Sequence, residues 1–335
     1  SKELRKLNIP LRIIQADCFD EAPRKLLDLA KRNGCESLWF NKEYEVNELR
    51  RDREVEALFH EHRRPVHAFT DQVIVDVGRF RTGTGGWYTV FTPFKRKWIE
   101  ALEAEGLPPV YPKPRRKQQL GVESDVVPAK LRGFTGHDRA DLWPAGEQAA
   151  HKRLRTFVSN RIDDYHRRRD FPDVNGTSTL SPYLAAGVLS PRQCLHAALN
   201  ANDGRLDSGK KGVTTWISEL CWREFYRHVL IGHPRVCMGR PFNPKADRVA
   251  WRCDERQFAA WSAGRTGFPI VDAGMRQLRQ TGWMHNRLRM ITAMILTKHL
   301  LIDWRWGEQH FMRRLVDGDF ASNNGGWQWS ASTGT

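Results

Sequence analysis

The 335-residue sequence predicts two architectures in one chain, α/β plus all-α. A partial Rossmann-like, doubly wound parallel-sheet domain comes first, then a long linker, then an all-helical domain. Three observations predict this. Short apolar runs alternate with helical patterns over residues 1–70, and residues 71–146 are broken by proline and basic side chains. From residue 147 to 335 the apolar residues recur at helical spacing alone.

In order, Leu4 and Leu7 mark a short helix leading to a strand over residues 11–15. Residues 22–33 predict a helix with Leu26, Leu29 and Ala30 on one face, and Gly34 as its stop. Residues 37–40 form a short apolar run, 48–63 a helix and 66–69 a strand. Strands alternating with helices require a parallel sheet with crossover helices, but these strands are too few for a whole doubly wound domain. No glycine-rich phosphate loop lies among them.

In the linker, residues 83–86 read as a loop and 92–102 as a helix with Pro93 in its first turn. Beyond it Pro108, Pro109, Pro112 and Pro114 break structure, and the basic run from Lys113 to Lys117 reads as a solvated segment.

Residues 149–165 then predict an amphipathic helix ending in His166, Arg167, Arg168 and Arg169. Ser181-Pro182 and Ser190-Pro191 each pair an N-cap with a proline at the first helical position. Two helix N-termini therefore open beside the hydroxyls of Thr177 and Ser178, an arrangement that suits phosphate or simple capping. Thr215 is expected to cap a helix over residues 216–232. On it Trp216, Glu219, Trp222, Arg223 and Tyr226 fall within a face about 120° wide. Such a face either lines a site or buries a satisfied ion pair. Residues 240–265 are a loop and short helix holding Trp251 and Trp261.

The last third carries the densest pattern. Leu288, Ile291, Ile295 and Leu296 place a helix over residues 284–301, and its first turns combine Trp283, Asn286, Arg287, Arg289 and Met290. A second helix is expected from residue 307 to the Asp317-Gly318 turn. Asp319, Asn323, the pair Gly325-Gly326, Trp327 and Trp329 follow. Paired glycines permit positive φ and close approach to a flat or large group.

Lys plus Arg number 54 against 39 Asp plus Glu, a net charge of +15 with a pI near 9.8. That field favours a polyanion or an anionic membrane over a neutral small substrate, unless the protein is merely basic and soluble. The 13 tryptophans lean toward nucleic acid, since aromatic faces stack on unpaired bases. Cys18, Cys35, Cys194, Cys221, Cys237 and Cys253 form no CxxC pair and no cluster with histidine. They read as buried thiols of a reducing compartment, with no metal site. No signal peptide and no uncharged apolar run of about 18 residues is present, which points to the cytoplasm. The absence of an initial Met and the Ser-Thr-Gly-Thr end suggest a fragment.

GWMHNRLRM at 282–290 and DGDFASNNGGWQW at 317–329 together resemble the flavin-binding core of the DNA photolyase/cryptochrome family. The similarity is closest to class I cyclobutane pyrimidine dimer photolyases and extends over nearly the whole chain. It implies FAD, active in its reduced anionic form, as electron donor to a pyrimidine dimer in UV-damaged DNA, with the protein a monomer. The flavin contacts it implies are Tyr165, Thr177, Ser178, Leu180, Ser181, Trp216, Glu219, Arg223, Asn286, Arg289, Asp317, Asp319 and Asn323. Among these, Asn323 matches the residue beside flavin N5, and Arg289 and Asp317 an ion pair near the ring.

The same resemblance makes Trp222 and Trp329 the walls on which the flipped dimer rests. Glu219 and Asn286 bind its edges, Met290 lies beside them, and Arg169 and Arg287 hold DNA phosphates. Trp327, Trp304 and Trp251 match an electron chain from the flavin to the surface. Asn47 and Glu48 match contacts of a light-harvesting antenna, although on their own they read as a plain helix start. Met238 stands where some relatives use a lysine, so folate-type and deazaflavin-type antennas both stay open. Asn286 after His285 argues against the (6-4) subgroup. A cryptochrome-like photoreceptor and a light-independent nucleic-acid-binding module are the other readings.

Overall fold

In the computed structural model, which describes residues 2–129 and 139–334, one compact unit holds residues 2–69 and 109–129. Residues 70–108 and 139–334 form the other. In the first unit, α1 (Lys2–Lys6) precedes α2 (Ala22–Arg32), which buries Pro23, Leu27 and Ala30. Gly34 ends α2 as expected, with φ at +64°. β1 (Leu38–Asn41), α3 (Val46–Glu61) and β2 (Val66–Phe69) follow. The two strands pair in parallel, Leu38 opposite Val66 and Asn41 opposite Phe69. Leu27 and Ala30 of α2 meet Val55 and Phe59 of α3 in a small core.

The strand expected over residues 11–15 does not form. Leu11 N donates to Ser124 Oγ at 3.0 Å, Ile13 N to the Asp125 carboxylate at 2.7 Å, and Asp125 N to Leu11 O at 2.8 Å. These backbone groups are satisfied by a neighbouring loop instead of a sheet ladder, and Ile13 and Ile14 stay exposed.

The second unit is helical. α4 (Phe91–Glu105) buries Phe94, Trp98, Ile99 and Leu102 in its core. Then come α5 (Glu147–Asn160), α6 (Tyr165–Arg168), α7 (Ser181–Ala185), α8 (Pro191–Asn200) and α9 (Lys211–Gly232). α10 (Glu255–Ser262), α11 (Pro269–Thr281), α12 (Asn286–Met294), α13 (Trp304–Arg314) and α14 (Phe320–Ser330) complete it. One core forms around α4, α5, α8 and α9, and a second among α10 to α14.

Glu224 fastens α9 to its neighbours. Its buried carboxylate accepts from Ile74 N, from Val75 N at 3.2 Å and from Trp98 Nε1 at 2.7 Å. Burial pushes the carboxyl up to about 7 against the pull of those donors.

Several local expectations are corrected. The helix expected over 149–165 stops at Asn160, and Tyr165 opens the separate α6. A Cβ on Gly212 of α9 would lie 2.1 Å from the Ile162 carbonyl and 2.2 Å from that of Asp163. The chain there is pressed against α9, and that packing overrides local helix propensity.

Ser190 caps α8 with a capping box to Gln193, as expected, whereas Ser181 makes no capping hydrogen bond. Thr215 is not a cap either. α9 begins at Lys211, and the Thr215 hydroxyl donates back to Lys211 O at 2.7 Å. The 284–301 helix runs as α12 into a π turn, Ile295–His299, with His285 at its N-cap. The helix expected from 307 begins earlier, because the Asp303 carboxylate caps Arg305 N at 2.9 Å.

The Gly325-Gly326 pair adopts no positive φ and sits inside α14. Close approach is its use: a Cβ on Gly325 would stand 2.1 Å from the Tyr226 ring. The thiols also depart from expectation, since Cys194 and Cys221 are buried but Cys18, Cys35 and Cys253 are exposed.

Candidate functional site

One turn of α9 separates two arginine–carboxylate networks. The more exposed one joins α6, α9 and α12. Arg169 Nη1 donates to Glu219 at 2.6 Å, and its guanidinium lies 5.4 Å from the Tyr165 ring centre. Asp170 accepts from Arg287 Nε at 2.8 Å and Nη2 at 2.6 Å, with Arg169 Nε at 3.6 Å. Arg287 and Asn286 also reach Met290 Sδ, at 3.2 and 3.9 Å. The structure thus gathers Tyr165, Arg169, Glu219, Asn286, Arg287 and Met290. Burial raises the Tyr165 phenol well above its usual range.

Trp222 is half-buried, one face stacked on Phe91 with centroids 3.7 Å apart and planes 7° apart. Trp329, on α14, is 47% exposed.

The second network is buried between α9 and the start of α14. Arg227 donates to Asp319, to Gln72 Oε1 at 3.3 Å and to Arg223 O at 3.2 Å. Burial pushes the Asp319 carboxyl up, but Arg227 and Arg223 more than offset it and hold it well below the carboxylate range. Asp319 also caps α14 by accepting from Ser322 N at 2.9 Å. Arg223 donates to the carbonyls of Gln72 and Leu184, and burial with Arg227 nearby lowers it to about 10. A half-buried guanidinium held by neutral carbonyls suits an anionic ligand such as a diphosphate. The residues present therefore fit an FAD.

Around these networks, Arg289 Nη2 bridges both oxygens of buried Asp317 at 2.9 and 2.7 Å. Asn323 Nδ2 donates to Glu308, at 3.0 Å to the carbonyl and 3.2 Å to the carboxylate. Burial raises Glu308 to about 7, with the Asn323 hydrogen bond opposing. Trp216 is buried against Phe157 at 5.1 Å. In the 177–181 loop Thr179 has φ +50°, its hydroxyl accepting from Arg153 at 2.8 Å. Leu180 is buried, Ser178 Oγ accepts from Leu180 N at 3.4 Å, and Trp283 Nε1 reaches Ser181 Oγ at 3.4 Å. Thr177 is half-buried beside them.

Trp251, Trp304 and Trp327 all belong to the α10–α14 core or pack against it. Trp327 meets Phe311 edge-on at 5.0 Å and Trp261 at 6.0 Å. Among the described residues, the indole N–H groups of Trp304 and Trp327 have no hydrogen-bond partner. In the first unit Asn47 is exposed and Glu48 half-buried in the first turn of α3, while Met238 of the second is exposed.

Two cavities, of about 610 and 200 Å³, share no residue with either network. Arg252 to Glu255 line the larger, and His310, Arg279 and Arg314 help line the smaller. No helix among the described residues is long and apolar enough to cross a membrane.

Sequence reading missed Arg227, Asp170, Glu308 and Gln72. Arg227 was open to detection, one helical turn beyond Arg223, and Asp170 adjoins Arg169. Glu308 and Gln72 carry no local signal, since their partners lie far along the chain.

The protein family described as DNA photolyase matches residues 1–114, and the FAD binding domain of DNA photolyase matches residues 216–335. The chain is 45% identical to a deoxyribodipyrimidine photo-lyase of Salmonella typhimurium and 46% identical to that of Escherichia coli K12. In each case 99% of this chain aligns with 69% of the relative. A solved class III photolyase from Agrobacterium tumefaciens superposes with a TM-score of 0.81 at 37% identity, over 94% of this chain and 65% of that one.

Proposed function

The chain belongs to the DNA photolyase family, and on that premise we propose that it performs light-dependent repair of pyrimidine dimers with FAD as cofactor. The observation that supports this most directly is the pairing of networks on α9. Glu219 faces a half-exposed cluster of arginines, while Arg223 and Arg227 face a buried one. A polyanion suits the first and a held anionic cofactor the second.

A dimer inside a duplex is out of reach, so the damaged pair must be extruded, and a poorly stacked lesion is easier to flip. In this reading Arg169 and Arg287 hold phosphates without reading sequence. Trp222 and Trp329 offer aromatic faces, and Glu219 and Asn286 hydrogen-bond the dimer's edges, with Met290 packing beside them. Arg223, Asp319, Arg289, Asp317 and Asn323 would hold the flavin, with Trp216, Tyr165, Leu180 and the hydroxyls of Thr177, Ser178 and Ser181 closing around it. When bound, reduced FAD supplies the light-driven electron that opens the cyclobutane ring. Asn323, a neutral amide whose Nδ2 donates to Glu308, neither repels an anionic flavin nor protonates it. Trp327, Trp304 and Trp251 would carry electrons to the site from the surface. Asn47 and Glu48 would contact an antenna chromophore, and the enzyme would act as a cytoplasmic monomer.

The domain reading is an α/β antenna domain over 1–70, a linker over 71–146 and an FAD-binding domain over 147–335. Residues 130–138 of the linker lie outside the described residues. The cyclobutane dimer is the lesion we propose, supported by Asn286 after His285 and by the 46% and 45% identity to enzymes named deoxyribodipyrimidine photo-lyase.

The deciding experiment illuminates the FAD-loaded protein with an oligonucleotide carrying one thymine dimer. Light-dependent return of intact thymines is expected, with none in the dark. A flavin that photoreduces while the dimer persists would instead favour the photoreceptor reading. A protein that takes up no flavin but binds DNA would favour the light-independent binding module.

A further inference from the structure

We infer that Phe91 is a positioning residue for dimer recognition: its ring backs Trp222 and fixes the plane on which extruded bases stack. The inference rests on the role proposed above for Trp222. Phe91 is the first residue of α4, in a stretch whose sequence reads as linker, so nothing in the pattern marks it as part of a site.

Five contacts support this. Phe91 and Trp222 stack face to face, with centroids 3.7 Å apart and planes 7° apart. Phe225 closes the corner, edge-on to both rings, at 5.8 Å from Phe91 and 5.5 Å from Trp222. Deeper in α4, Phe94 packs on Phe225 at 5.4 Å, and the fully buried Trp98 donates to Glu224 at 2.7 Å. Glu224 is two residues beyond Trp222 on α9, so the aromatic stack and the buried hydrogen bond join the same two helices.

The consequence is one-sided recognition. Phe91 covers one face of the indole, which leaves Trp222 a platform rather than a slot that bases enter from both sides. Stacking on a platform is strongest when its plane is already fixed, because less side-chain freedom is then lost on binding. Phe91 supplies that constraint without touching the DNA.

The opposite role would be a placeholder, with Phe91 occupying the stacking face until a lesion displaces it. Displacement would pull the first turn of α4 off Phe225, next to an anchor that is itself buried and hydrogen-bonded. A ring held in that way is a wall.

Phe91→Leu keeps the volume apolar and leaves the α4 anchors Phe94 and Trp98 in place. Dark affinity of the FAD-loaded protein for a dimer-containing duplex should fall roughly 2- to 12-fold, the usual worth of an aromatic pair. Affinity for the undamaged duplex, set by phosphate contacts, should not change. Phe91→Tyr should restore dimer binding. In a Trp222→Ala background, Phe91→Leu should add no further loss. If Phe91→Leu lowers the melting temperature, Phe91→Met takes its place with the same expected split.

Equal loss for damaged and undamaged DNA, or an additive loss in the double variant, overturns the inference. Tighter dimer binding by Phe91→Leu would identify a placeholder and also overturn it. If Trp222→Ala itself leaves dimer binding unchanged, the assignment of Trp222 fails and takes this one with it. If Trp222→Ala weakens binding while Phe91→Leu does not, only the role of Phe91 fails.

Discussion

The two networks on α9 use the same chemistry in opposite surroundings. Arg227 and Asp319 are largely shielded, with side chains 3% and 15% exposed, whereas Arg287 and Asp170 are 33% and 51% exposed. Shielded charges hold each other because neither can return to water, and separating them leaves an uncompensated ion. The exposed pair is screened and contributes little to stability, so its arginine can exchange a carboxylate for a phosphate. Burial would therefore divide the labour in the proposed reading: the inner network would build the wall that faces the flavin, and the outer one would stay available to a polyanion.

The strongest way to break this contrast is Asp319→Ala. It strands Arg227 beside Arg223 and removes the α14 cap, and should cost about 3–5 kcal/mol of stability. Urea unfolding of the variant and its parent would read the loss, and flavin content should fall with it. A loss under about 1 kcal/mol would place Asp319 with the exposed class.

Next in size is a pH effect at Glu308, a buried carboxyl with no cation beside it among the described residues. Its folded value of about 7 lies above the ordinary 4.5, so between these the native state holds a proton that the unfolded chain has released. The full contribution is present below pH 4.5 and is lost as pH rises through about 7, a change of roughly 3 kcal/mol. Asp319 has the opposite sign. Its folded value is depressed, so its contribution is present above the ordinary carboxylate value and is lost as acid is added. Glu308→Gln should remove part of the decline on the neutral side and leave the acid limb intact. Melting temperatures from pH 4 to 8 would show this, and an unchanged neutral limb would place Glu308 in water.

In the outer network, Arg287→Ala should change stability by less than about 1 kcal/mol. Its DNA affinity should fall for damaged and undamaged duplexes alike, and the salt dependence of binding should lose about one unit of slope. A change confined to damaged DNA would mean that Arg287 reads the lesion rather than the backbone. The smallest effect belongs to Asp170→Asn, which frees Arg287 and Arg169 from a competing carboxylate. Binding of undamaged DNA should tighten by up to about 5-fold at low salt. Weaker binding would make Asp170 a necessary brace rather than a competitor.

Much of this protein was legible in its sequence, because periodicity and capping are local. α2, α3, β2 and α8 lie close to where their apolar spacing and turn residues place them. The motifs at 282–290 and 317–329 indicated the family by their resemblance to its flavin-binding core, and the family matches over residues 1–114 and 216–335 agree. Tertiary packing decided the rest. Whether residues 11–15 form a strand depends on which partner satisfies their backbone, and a loop more than a hundred residues away does so. Gly325 is needed because of the Tyr226 ring it meets, not because of its own φ. Glu224 and Trp98, or Phe91 and Trp222, are partners only once α4 lies along α9. Local pattern specifies which face of a helix is apolar, but what that face meets is set by how the whole chain closes around it.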